Sequence, residues 1–183
     1  YNCVMIHAMI DLETLSTRPN ATILTIGGVK FDPYTNVEPS QGMYHRIDVD
    51  SQTEMGRDVM EETVEWWGKQ AEDVREEALG DHDRIDLKYF TKQLNKWCVG
   101  VDVFWCQGPL FDYAILQNFY AQMDVPVPWN YWQIRDSRTL GSLVPRDPNE
   151  KRTGLHNALE DCYFQARKVQ QIFQQLGIKN ARY

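Results

Sequence analysis

The sequence predicts an α/β domain built on a mixed sheet, antiparallel early and parallel later. Three observations predict it. Three strand-like segments fall within the first 48 residues and are joined by short connections, the pattern of a meander. Helical and strand-like segments alternate afterwards, as crossover units require. No repeat, low-complexity tract or linker divides the 183 residues, so one domain spanning 1–183 is expected.

Residues 4–10 (VMIHAMI) read as a buried strand, and 21–31 (ATILTIGGVKF) as a second. Gly27–Gly28 in the latter marks a bulge or a close approach. Residues 41–48 alternate weakly as a third strand. Residues 58–79 read as helical, polar and broken at Gly68, with Trp66 and Trp67 in the middle. Asp86 caps the next helix, whose Leu87, Phe90, Leu94 and Trp97 share one face. A strand over 101–106 and a helix over 110–120 flank Gly108–Pro109. After the Pro-rich loop 124–130 come a short strand at 131–135 and a short helix at 137–143. A polar loop, 145–154, leads to the last helix at 157–176, where Asn157 and Glu160 fit a capping box.

Hydrophobic residues make up 43% of the chain and charged residues 25%, which argues against disorder. The net charge of −7 speaks against a long electropositive track. Charge is uneven: residues 51–80 hold nine acids against three bases. Residues 131–152 carry Arg135, Arg138, Arg146, Lys151 and Arg152 against three acids, and form the better phosphate-facing candidate. Cys3, Cys98, Cys106 and Cys162 form no close pair and are expected to be reduced and mostly buried. No secretory signal or membrane-length apolar run is visible, so a cytoplasmic protein is expected. The sequence starts at Tyr1 rather than Met, which leaves a preceding segment open.

The chemistry concentrates in carboxylates. Asp11-Leu12-Glu13-Thr14 follows the first apolar segment. Residues two apart in an extended chain share a face, so Asp11 and Glu13 point together. Such a pair repels unless a hard cation neutralises it, although solvated acids at a strand end read the same way. Asp112 follows the 101–106 strand at a helix start, where acids are favoured in any case. His156-Asn157-Ala158-Leu159-Glu160-Asp161 places a histidine before the last helix and an acid in its first turn. Five-residue spacing is not the i,i+4 pair of a helical zinc site. An imidazole, with its ordinary pKa near 6.5, suits acid–base work there. His7, His45 and His82 are expected to pack or to sit at the surface. Acids without a cysteine–histidine cluster favour magnesium or manganese over zinc.

In their order, Asp11-x-Glu13, Asp112 and His156-x4-Asp161 resemble the DEDDh 3′-5′ exonucleases of the ribonuclease H-like superfamily. Thr63-Val64-Glu65-Trp66-Trp67, Gln70 and Arg135-Asp136-x-Arg138-Thr139-Leu140 are similar to a subgroup with the T4-type phage exonuclease A and small bacterial exoribonucleases. The resemblance implies a ribonuclease H-like mixed sheet flanked by helices. It implies two ions, Mg²⁺ or Mn²⁺, held by Asp11, Glu13, Asp112 and Asp161, with Asp11 touching both. Glu13 and Asp161 would complete the ion that carries the attacking water, Asp112 would act through a water, and His156 would be the general base. The 3′ end of a single strand would meet backbone groups near Leu12 and Thr14, with Leu12 or Leu15 as a wedge. Trp66 and Trp67 could stack on bases, or pack as helix core or a dimer contact, and at least one of two adjacent helical tryptophans should face inward. Arg138 could reach a phosphate, orient the carboxylates or form a surface salt bridge. The products would be nucleoside 5′-monophosphates, from DNA by resemblance or from RNA or short oligonucleotides, in the cytoplasm of a bacterium or phage-infected host. A homodimer through exposed aromatics, an endonuclease of ribonuclease H type and a non-catalytic nucleic-acid or protein-binding domain are the alternatives.

Overall fold

The computed structural model describes residues 5–151 and 156–179 of the chain. Cys3 and Arg152 therefore lie outside the described residues. Strands β1 (His7–Thr14), β2 (Ile23–Phe31) and β3 (Ser40–Ile47) form the expected antiparallel meander. The two-residue β4 (Arg84–Ile85) joins β3 in parallel. On the other side, β5 (Val103–Cys106) runs parallel to β1, and β6 (Ile134–Asp136) parallel to β5. The six strands lie in the order β4-β3-β2-β1-β5-β6.

Helices follow as α1 (Val49–Glu54), α2 (Glu61–Gly68), α3 (Glu72–Leu79), α4 (Leu87–Trp97), α5 (Asp112–Gln122), α6 (Ser137–Gly141) and α7 (Ala158–Gln175). The alternation of β1 divides them between two faces. Ala8, Ile10 and Leu12 pack into the core with Phe90 and Leu94 of α4 and Ile115, Leu116 and Phe119 of α5. Met9 points the other way, to Cys162, Ala166, Val169 and Phe173 of α7. Asp11 and Glu13 share the parity of Met9, so the sequence itself aims them at α7. A smaller core joins Leu15 and Leu24 to Trp67 and Ala78.

Helix starts follow the side chains that cap them. Asp86 accepts from Tyr89 N at 2.9 Å, and Asn157 accepts from Leu159 N and Glu160 N, both at 3.1 Å. Each cap contributes about 1 kcal/mol. The helical stretch expected over 58–79 breaks after Gly68 into α2 and α3. The glycine pair serves close approach on both faces. A Cβ on Gly27 would overlap the backbone of Ala158 at the start of α7, and one on Gly28 would sit 2.8 Å from Cη2 of Trp97 on α4. The ladder to β3 also slips between Gly28 and Lys30.

Several boundaries differ from expectation. β1 continues through Thr14, so Asp11 and Glu13 lie inside the strand rather than beyond it. Apolar character stops at Ile10, but pairing with β2 does not. Residues 131–133 form a 3₁₀ turn closed by an Asn130–Gln133 capping box, and the strand starts only at Ile134. Helix α6 ends at Gly141, short of 143. α1 and β4 are too short to leave a periodic signal. His7 is buried beside Trp105, whose indole N–H donates to its Nδ1 at 2.9 Å. Burial pushes the His7 pKa down to about 4, so it packs as a neutral ring. Cys98, Cys106 and Cys162 are free and buried. No helix among the described residues is long and apolar enough to cross a membrane.

Candidate active site

The pairing of β1 with β5 ends at Met9 opposite Trp105. The chain then turns from β5 into α5, and its first residue, Asp112, takes the amide that the ladder leaves open. Leu12 N donates to Asp112 Oδ1 at 3.1 Å. From the opposite side comes the start of α7, admitted over Gly27, the β2 partner of Asp11. Asp161 lies in the first turn of α7, and its Oδ2 accepts from His156 N at 3.2 Å. One turn further, Gln165 Nε2 donates to Asp11 Oδ1 at 3.0 Å. His156 precedes the helix at φ 65°, a left-handed turn that sends the imidazole back toward the sheet.

The four expected carboxylates and His156 thus line one cavity of about 200 Å³, with Leu12, Gln107, Phe111, Arg138 and Gln165 completing its wall. One ligand-capable atom each from Glu13, His156 and Asp161 lies within 4.8 Å of the others. Burial holds the Asp11 carboxyl well above the usual range, and the charges of Asp112, Glu13 and Asp161 add to it. The Gln165 amide pulls the other way. Asp112 is pushed up to about 7 by burial, against the pull of the Leu12 amide and of Arg138. Like charges crowded away from water need either protons or a multivalent cation. The donors fit a hard cation: they are carboxylate oxygens and one imidazole. The neighbouring thiols of Cys106 and Cys162 are driven up by burial and stay protonated. Gln165 Oε1 is buried with no hydrogen-bond partner among the described residues, an acceptor suited to an ordered water.

A second cavity, of about 400 Å³, adjoins the first through Leu12, Glu13 and Phe111. Thr14, Thr17, Met60, Glu62, Thr63, Trp66 and Trp67 line the rest. Helix α2 is docked here by two bonds to the end of β1: Met60 N to Leu15 O at 2.8 Å and Trp67 Nε1 to Thr14 O at 2.9 Å. Trp66 remains 39% exposed, and its ring meets that of His156 edge to face at 4.7 Å between centroids.

Two expected substrate contacts need correction. Trp67 is 1% exposed, so it forms the floor of the second cavity and offers no free ring face. Adjacent helical residues point in different directions, so only one of the pair could remain outside. Leu15 is buried in the small core with Leu24 and Trp67 and cannot serve as a wedge. Leu12 lies between the two cavities, but its amide is committed to Asp112. The Thr14 carbonyl is likewise committed, to Trp67. Arg138 lines the polar cavity while donating to Gln107 O at 3.2 Å. Sequence reasoning missed Gln165, Gln107, Phe111 and Met60 as site residues, and quoted Thr63 only within a motif. Only Gln165 carried a signal, its i,i+4 spacing from Asp161 on one helical face.

Residues 6–173 match the family model described as the 3′-5′ exoribonuclease Rv2179c-like domain. No curated protein matches the sequence. Among solved structures, the chain is similar to cell-death related nuclease 4 (CRN-4) at a TM-score of 0.63 and 14% identity, covering 93% of this chain and 64% of that one. It is similar to E. coli exonuclease I in a zinc-bound complex with single-stranded DNA at 0.67 and 12%, covering 95% and 41%. It is also similar to the nuclease domain of 3′hExo, a DEDDh family member bound to rAMP, at 0.60 and 14%, covering 95% and 94%. The chain therefore spans less than two thirds of the first two proteins. At these identities the structures speak for the fold, the ribonuclease H-like mixed sheet flanked by helices.

Proposed function

We propose, because the chain belongs to the 3′-5′ exoribonuclease Rv2179c-like domain family, that it is a single exonuclease domain which uses divalent cations to remove nucleotides one at a time from the 3′ end of a single strand. Membership in a nuclease family sets aside the non-catalytic alternative. The observation that carries the reading is that acids from three distant segments share one cavity with His156, beside a larger apolar cavity.

The division of labour follows from the walls. The apolar cavity accepts the terminal nucleoside, with the exposed face of Trp66 against the base and Leu12 and Phe111 at the junction. Base–aromatic stacking contributes about 1–3 kcal/mol. The scissile phosphate then falls in the polar cavity, where Arg138 offers it a positive charge. Asp11, Glu13, Asp112 and Asp161 hold the cations, magnesium or manganese. Bound there, two ions supply an activated water and counter-charge for the developing oxyanions. His156 accepts the proton of the attacking water, and Trp66 limits the swing of its ring. Nucleoside 5′-monophosphates are the products.

RNA is the substrate that the family description favours. Single-stranded DNA, favoured by the motif resemblance and bound by exonuclease I in its complex, is the second reading. Matched 3′- and 5′-labelled RNA and DNA strands, incubated with Mg²⁺ or Mn²⁺ and with a chelator control, decide both questions. Stepwise mononucleotide release is expected. Internal cuts would favour an endonuclease of ribonuclease H type, and turnover in chelator would end the metal reading. A homodimer is a further proposal, through the exposed pair Tyr131 and Trp132, and sedimentation tests it.

A further inference from the structure

We infer that Gln165 is a positioning residue that fixes the Asp11 carboxylate for cation binding and presents its free oxygen to a water or hydroxyl group in the same cavity. The inference rests on the exonuclease reading above and adds a residue to it.

Three observations carry it. Gln165 is 4% exposed and lies on the face of α7 that also bears Asp161, four residues earlier. Its Nε2 donates to Asp11 Oδ1 at 3.0 Å. Its Oε1 is a buried acceptor without a partner among the described residues, although both residues line the polar cavity.

A buried amide acceptor left unpaired destabilises the fold, because it has lost its water and gained nothing in return. The same volume could be filled by an apolar side chain at no such cost. What the amide supplies is direction. Asp11 is crowded by Asp112, Glu13 and Asp161, all of the same sign, and its carboxylate could turn about its last torsion to escape them. The Gln165 donor ties down one oxygen and leaves the other directed at the cavity. Against the ionised Asp11, the form that binds a cation, the amide's orientation is itself forced. Turned over, it would set Oε1 against the Asp11 carboxylate, lone pair to lone pair. With Nε2 held by Asp11, Oε1 can only accept, so the group that completes it must be a donor. A water held by a cation, or a hydroxyl of the bound nucleotide, has that chemistry. Partners of this kind, one shell behind the ligands, typically govern about 10–100-fold in metal affinity or activity.

The test uses the full chain and two variants. Q165M keeps the length but removes both donor and acceptor. Q165E keeps the shape and the acceptor but replaces the donor with a like charge. Mn²⁺ binding is measured by calorimetry without substrate, and kcat and KM on a labelled strand. Both variants are expected to lose about 10–100-fold in kcat with KM nearly unchanged, and Q165M to bind Mn²⁺ about 10-fold more weakly. Melting curves report folding. Should Q165M fail to fold, Q165E decides alone. A folded variant that binds Mn²⁺ and turns over like the parent overturns the inference. A parent that neither binds Mn²⁺ nor trims overturns the exonuclease reading itself, and does so before any variant is made.

Discussion

The two cavities that meet at Leu12 are built by opposite rules. The polar one takes its groups from the strand β1 and from the first turns of α5 and α7, and hydrogen bonds hold most of them: Asp112 to the Leu12 amide, Asp161 to the His156 amide, Asp11 to Gln165. The apolar one leans on α2, a helix of eight residues attached to the sheet by one indole and one backbone bond. Groups that must meet within fractions of an ångström sit on the most deeply paired elements, whereas the surface proposed to grip a flexible chain sits on a short, separately docked one. Precision and adaptability are thus divided between neighbouring walls.

If that division is right, damage to the polar cavity should strike turnover, and damage to the apolar cavity should strike binding. Asp11→Asn keeps size and loses charge. A cation site that contributes several kcal/mol loses its central ligand, so kcat should fall by about 10³-fold or more while the strand still binds. A gel-shift assay beside the labelled-strand assay checks both halves. His156→Ala should lower kcat by about 10²-fold or more, the size of a general-base contribution, with Mn²⁺ binding in calorimetry less affected than by Asp11→Asn. Trp66→Ala should raise KM by about 10-fold, the worth of one stacked base, and Trp66→Phe should recover most of it. A loss confined to kcat in Trp66→Ala would collapse the distinction between the cavities. The smallest effect concerns stability. Asp11 and Asp112 titrate above their ordinary value of 3.8 in the folded chain, Asp112 near 7. The folded protein then holds more protons than the unfolded chain between these values, so without metal its stability falls as pH rises from about 4 to about 7. Saturating Mg²⁺ or Mn²⁺ at neutral pH should raise Tm by about 5–10 °C, which thermal melts with and without chelator measure.

The same contrast explains what could be read from the sequence. The acids were legible because their chemistry is rare in that order and their parity along β1 is fixed by the strand period. The end of β1 was not legible: hydrophobicity stops at Ile10, but hydrogen bonding to β2 runs to Thr14. Leu15 looked like a wedge because it follows the motif. The register shift between Glu13 and Thr14 precedes its turn into the small core. The Trp66–Trp67 pair announced that one ring would be buried, but not which, since that depends on where α2 docks. Gln165 carries no charge and belongs to none of the motifs, and its i,i+4 spacing from Asp161 takes on meaning only once Asp11 stands beside it.

Gly27 lets α7 close on the sheet, and that closure decides when, during synthesis, the polar cavity can form. Asp11, Glu13 and Asp112 leave the ribosome early, but His156, Asp161 and Gln165 arrive only with the last helix. A nascent chain that ends before them holds three of the cavity's acids without the helix that brings the fourth. The cavity that gathers these side chains is therefore completed only when α7 settles over Gly27.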